Sequence, residues 1–160
     1  MPPVVAPILK TLLFTILVPG SVTVLVPYLL LPVHTRVNWN SLGFLGLTAL
    51  VAGTAIYLRC AWEFAYRGFG TPAPMDPPKV LVSHGLNRFV RNPMYLGVLA
   101  IVLGEAALFR SRQLVIYAAC LAVAFHLFVV FYEEPALKRQ FGETYDEYQR
   151  TVPRWIPRFR

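Results

Sequence analysis

Charged residues are missing from long stretches of this chain. Between Lys10 and Arg59 the only Asp, Glu, Lys or Arg is Arg36, and none occurs between Arg112 and Glu133. A helix needs roughly 20 apolar residues to cross a hydrocarbon layer of about 30 Å. Helices and closed barrels alone satisfy their backbone hydrogen bonds there without water. The breaks between apolar runs accommodate four crossings, at about 7–31, 41–65, 93–109 and 113–132. The expected fold is therefore an all-α integral membrane domain over residues 1–160, with four transmembrane helices, a polar cytoplasmic loop over 67–91 and a cytoplasmic or interfacial C-terminal helix over about 135–150. A composition that is 56% hydrophobic and 14% charged agrees.

The net charge of +7 raises the possibility of a nucleic-acid partner. The basic residues cluster at the ends of apolar runs, however, and form no stripe interleaved with aromatics, so no nucleic acid is expected. Cys60 and Cys120 sit inside apolar runs without a CxxC pattern and read as small buried hydrophobes. His34, His84 and His126 lack metal-ligand spacing, so no metal is expected. The first apolar run is longer than a signal-peptide core and holds Pro19 and Gly20, so it is expected to be retained.

Pro19 and Pro27 each remove a backbone donor from the first span, and their kinks should face protein groups that answer the freed carbonyls. Gly43, Gly46, Ala49 and Gly53 recur every three or four residues and give the second span a face for close helix contact. Arg59 and Glu63, four apart, are placed to pair. Gly68–Pro78 is too rich in Pro and Gly for a regular element and reads as a connector or a lid. Glu105 belongs at the far interface, and His126 reads as a hydrogen-bonded interior residue. Leu137, Phe141, Tyr145, Tyr148 and Val152 recur at helical spacing opposite charged residues, with Gly142 a weak point. Eleven of the fifteen Lys/Arg fall on the side of Lys10, the 67–91 loop and the C-terminal segment, against three on the other. This bias puts both termini in the cytoplasm.

The junction with most chemistry is Gly85–Leu96, where basic and polar residues run directly into an apolar segment. Asn92 can cap a helix, and Pro93 suits its first position. The positive end of that helix, with Arg88 and Arg91 just upstream, can receive a carboxylate or a phosphate. The same residues also describe a capped transmembrane helix with a basic flank.

Gly85-Leu-Asn-Arg-Phe-Val-Arg-Asn-Pro-Met-Tyr-Leu-Gly97, followed by Tyr132-Glu133-Glu134-Pro through Tyr148 and by Val152-Pro-Arg-Trp-Ile-Pro157, resembles the isoprenylcysteine carboxyl methyltransferase and phospholipid methyltransferase superfamily. Gly70-Thr-Pro-Ala-Pro resembles its bacterial members. The resemblance implies a membrane enzyme, in a bacterium of the inner membrane, that uses S-adenosylmethionine from the cytoplasm, releases S-adenosylhomocysteine, and methylates a lipophilic acceptor reached from the bilayer. It implies a cofactor pocket made by Gly85, Arg91, Asn92, Pro93, Tyr95, Glu133 and Glu134, with Arg91 and Glu134 the residues expected to matter most for catalysis. The chain departs from the family at Asn92, where His is common, and at Asn87, where an aromatic residue is frequent.

The chemistry of the methyl donor fits these residue types. Arg91 and the helix start at Asn92 suit its carboxylate, Glu133 or Glu134 its ammonium or ribose hydroxyls, and the Tyr95 ring its sulfonium. Adjacent helical positions diverge by about 100°, so one glutamate should face the pocket. A carboxylate acceptor needs no base; an amine needs one, with Glu134, His84 and Glu63 as candidates in that order. The competing expectation is a non-catalytic four-helix membrane protein that acts as an assembly or cofactor-handling partner. A transporter is disfavoured by the lack of an internal repeat.

Overall fold

The computed structural model describes residues 5–32, 34–67 and 80–158. The Gly68–Pro78 segment and its possible lid lie outside these residues. All regular structure among them is helical: α1 (Val5–Leu17), α2 (Val26–Leu30), α3 (Ser41–Arg67), α4 (Pro93–Leu108), α5 (Arg112–Phe128), α6 (Glu134–Phe141) and α7 (Glu143–Thr151). Three stretches are long and apolar enough to span a bilayer, Ile8–Leu30, Ser41–Tyr66 and Arg112–Phe141, and the apolar α4 is shorter. At about 1.5 Å per residue α4 falls a few ångströms short of a full hydrocarbon layer.

The α3 and α4 helices form the centre of the domain, and glycine sets their distance. A Cβ on Gly46 would lie 2.6 Å from the Gly104 carbonyl oxygen, and one on Gly53 would lie 2.6 Å from that of Gly97. Both pairs are seven residues apart in opposite chain directions, so the helices run antiparallel with backbones in direct contact. Small residues permit this approach, and dispersion along the seam holds it where no hydrophobic effect operates between helices. One turn beyond Gly53, Tyr57, Ala61 and Val98 form a buried cluster, packed by Val22, Met94, Leu121 and Phe125. Outward, Leu9, Leu13, Ile16, Leu29, Leu45 and Val51 are exposed. So large an apolar surface belongs against lipid.

The first span is not one uniform helix. A π-helical turn, Ser21–Leu25, joins α1 to α2 ahead of Pro27. In that register the Val22 carbonyl would accept from residue 27, which as proline has no N–H. Tyr117 of α5 answers it instead, its hydroxyl donating to Val22 O at 3.0 Å. Nearby, Thr15 Oγ1 and Tyr57 Oη lie 2.9 Å apart and tie α1 to α3. The expectation that the kinks face protein is met at Pro27.

The same device corrects a second expected boundary. The fourth span was expected to stop at 132, with a separate helix from about 135. A π-helical turn, Val129–Glu133, instead carries α5 into α6 through Pro135, with the Glu134 N–H donating to Val129 O. The expected 135–150 helix breaks at Gly142, whose φ of +55° is a conformation that only glycine adopts cheaply. At the opposite end of the bundle Asn40 Oδ1 caps α3 through Gly43 N at 3.0 Å, and Ser111 Oγ caps α5 through Leu114 N at 3.3 Å.

Alanine for glycine in a free helix stabilises by about 0.5–1 kcal/mol. At Gly53 it should instead destabilise by about 1–3 kcal/mol, because the new Cβ meets backbone. Thermal unfolding in detergent tests this against Gly20→Ala, where the nearest atom is Thr15 O at an ordinary 3.4 Å. Equal stability of the two variants would contradict the seam.

Candidate active site

The site sits where α4 begins and α5 passes into α6. Arg91 precedes α4 and Glu134 opens α6, and Arg91 Nη1 lies 3.0 Å from Glu134 Oε1. Both side chains are about nine-tenths buried. Arg154 completes the cluster, its Nε and Nη2 donating to the two Glu134 oxygens at 2.7 and 2.8 Å. This forked pairing matches the planar guanidinium to the planar carboxylate. The bond to Glu134 holds the Arg154 proton more firmly than usual.

Arg154 arrives because the C-terminal segment folds back over the basic stretch. Arg91 N donates to Pro153 O at 2.9 Å, Arg158 N to Phe89 O at 3.0 Å, and the Asn92 amide to Arg154 O at 3.2 Å. From α7, Tyr148 Oη donates to Asn87 O at 2.6 Å, while the Asn87 amide donates to Val82 O at 2.9 Å. The buried Tyr145 of α7 lies beside the Arg91–Glu134 pair, and burial pushes the phenols of Tyr145 and Tyr148 upward, so both stay neutral. The two departures from the family pattern thus have structural work: Asn87 braces the turn, and Asn92 holds the returning segment.

Asn92 occupies the N-cap position of α4 with Pro93 first in the helix, as expected. Its side chain makes no capping bond; the amide nitrogen instead donates to Arg154 O. The first N–H groups of α4 therefore keep their capacity for an outside acceptor. One turn on, Tyr95 donates from its hydroxyl to Glu133 Oε2 at 2.6 Å. Its ring packs on Phe125 at 4.7 Å and on Trp155 at 6.4 Å between centroids. Glu133 and Glu134 diverge as adjacent residues should: one meets Tyr95, the other the two arginines.

Gly85 stands at a φ of +60°, and a Cβ there would collide with both carboxylate oxygens of Glu63. Glu63 is buried and pairs with Arg59 at 3.0 Å, as the spacing predicted. Not every expected group converges. Arg88 lies over the Phe89 ring at 4.4 Å and lines an open cleft of about 420 Å³ with Ser83, Glu147 and Tyr148, apart from Arg91. His84 is exposed. Arg154 was missed as a functional residue although it lies within the Val152–Pro157 segment, since nothing local marks it as the partner of a residue twenty positions upstream.

Residues 41–144 match the phospholipid methyltransferase family, more than half of the chain. The chain belongs to the phospholipid methyltransferase family. Neither the curated proteins nor the solved structures yielded a match. The matched region contains Arg91, Asn92, Tyr95, Glu133 and Glu134, and it ends before Arg154 and Trp155. Family and apolar helices together describe a methyltransferase-type protein of the membrane whose substrate is lipid-like.

Replacing Glu134 by Ala leaves two guanidinium groups facing each other without a counter-charge. Breaking a buried pair costs about 3–5 kcal/mol, and the partial exposure of Arg154 puts the expected loss near 3 kcal/mol. Chemical denaturation in detergent should show this loss, whereas Lys138→Ala, which removes an exposed pair with Asp146, should change stability by less than about 0.5 kcal/mol. Equal effects would contradict a central role for the carboxylate.

Proposed function

We propose that the protein is an S-adenosylmethionine-dependent membrane methyltransferase with four crossings and both termini in the cytoplasm, which methylates a lipophilic acceptor held in the bilayer. The observation that carries this reading is the meeting of Arg91 with Glu134. It brings two segments about forty residues apart to one end of the bundle, with the Tyr145 hydroxyl beside the guanidinium, and still leaves the buried Arg91 Nε without a well-aligned acceptor among the described residues. An orphaned guanidinium donor beside the uncapped start of α4 suits the carboxylate of the cofactor. The residues therefore fit the group. In this reading Arg91 and the first N–H groups of α4 hold its carboxylate, and Gly85 and Pro93 shape the backbone on either side of them.

The two oxygens of Glu134, the first of the three candidate bases, are engaged by Arg91 and Arg154, so it acts here by orienting Arg91. Glu133, with Oε2 bonded to Tyr95, is placed to meet the ammonium or a ribose hydroxyl through Oε1. The Tyr95 ring, steadied by Phe125 and Trp155, offers an aromatic face to a sulfonium. The cofactor supplies an electrophilic methyl group, and its transfer demands above all that acceptor, methyl and sulfur lie in line. Alignment of this kind can supply roughly 7–11 kcal/mol. A closed, apolar surround helps further where transfer cancels opposite charges.

Calorimetric titration of detergent-purified protein with S-adenosylhomocysteine should show saturable binding at one site. Arg91→Ala and Glu133→Gln, measured below their unfolding temperatures, should each weaken it tenfold or more, while Arg88→Ala leaves it within twofold. Labelled methyl from S-adenosylmethionine should then appear in a membrane lipid extract. No binding by folded protein would replace this reading with that of a non-catalytic membrane partner.

A further inference from the structure

His126 is exposed on α5 among the apolar side chains Val123 and Leu127, seven residues before Glu133. It is hydrogen-bonded as expected, but on the outer surface and not in the interior. Trp155 Nε1 donates to His126 Nδ1 at 3.1 Å. An indole N–H only donates, so Nδ1 must be the unprotonated nitrogen, and the neutral ring carries its proton on Nε2. No described residue accepts from Nε2. A polar ring held in one tautomer on a lipid-facing surface is costly unless something outside the chain completes it.

We propose that His126 Nε2–H is a binding donor for the phosphodiester of a membrane phospholipid. The ring offers a donor and no acceptor, so its ligand must present an oxygen. The segment that carries Trp155 favours an anionic oxygen: Arg158, exposed, follows on it, and Arg154 precedes, with its charge only partly answered by the Glu134 carboxylate that it shares with Arg91. The depth suits a head group as well. Trp155 and Ile156, the latter 80% exposed, have the composition of a segment seated at the membrane interface, where tryptophan concentrates. The site begins about 10 Å along the helix from Glu133. Only the further statement that the bound lipid is the methyl acceptor rests on the function proposed above. The same tautomer excludes His126 from service as a general base, because Nε2 has no free lone pair.

Two substitutions separate this role from a structural one. The Gln amide reaches the position of Nε2, whereas Asn places its polar atoms at the level of Nδ1, where they can keep the bond to Trp155. Binding of dioleoylphosphatidylethanolamine to delipidated protein in detergent is measured by native mass spectrometry, with dioleoylglycerol and inorganic phosphate as further probes. His126→Gln should bind the phospholipid within twofold of the unaltered chain, and His126→Asn five- to tenfold more weakly. Dioleoylglycerol should bind all three chains equally. Unchanged phospholipid binding by His126→Asn, a reversed order of the two variants, or a parallel loss of dioleoylglycerol would overturn the proposal. Competition by millimolar inorganic phosphate that follows the same Gln and Asn order would overturn the lipid as its source. S-adenosylhomocysteine affinity, titrated on the same samples, should not change with position 126. A chain that shows the phospholipid pattern but binds no S-adenosylhomocysteine keeps this site and loses the methyltransferase reading; the reverse result loses only the site.

Discussion

A helix surrounded by hydrocarbon has no water to take up a loose hydrogen bond, so every break in its ladder must be answered by another part of the chain. This requirement shapes the protein from end to end. Pro27 removes a donor, the preceding turn widens into π geometry, and Tyr117 reaches from α5 to the carbonyl left over. Pro135 is met by another widened turn, Val129–Glu133, at the edge of the candidate site. The extra residue keeps α5 and α6 continuous while setting the register at which Glu133 faces Tyr95 and Glu134 faces Arg91. A π turn at a functional position is a recurrent use of this rare geometry.

Charge obeys the same constraint. Arg91 and Glu134 are almost fully buried, and neither would be tolerable alone. Arg154 adds a second cation to one carboxylate, which leaves the cluster with net positive charge and an unspent donor. In a structural ion pair that surplus is a cost without a return. Beside the open end of α4 it favours an anion, which is what the carboxylate of the proposed cofactor would supply. The glycine seam between α3 and α4 sets the stage, since it fixes where α4 starts relative to Glu63 and Gly85.

Much of this was legible in the residues. Gaps in charge located the apolar helices, and the Gly46 and Gly53 spacing announced the close face that meets Gly104 and Gly97. The four-residue interval of Arg59 and Glu63 foretold their pair, and the convergence of Arg91 with Glu134 followed from the two family segments. What escaped had no local signature. A π turn shifts register by one residue without altering the apolar pattern, so the continuity of α5 into α6 was hidden behind Pro135. The return of the C-terminal segment rests on backbone bonds such as Arg91 N to Pro153 O, which any sequence can make. Arg88 and Arg91, three apart before a helix, looked like a pair, but the intervening 3₁₀ turn Gly85–Arg88 and the Phe89 ring send them to different places.

The central claim is that two distant segments make one pocket for the methyl donor. Hydrogen–deuterium exchange of the detergent-solubilised protein, with and without saturating S-adenosylhomocysteine, addresses it most directly. The account predicts that protection rises together in residues 85–96 and 131–156, and that residues 8–30 are unaffected. Protection in only one of the two segments, or its appearance mainly in the first span, would contradict a shared site.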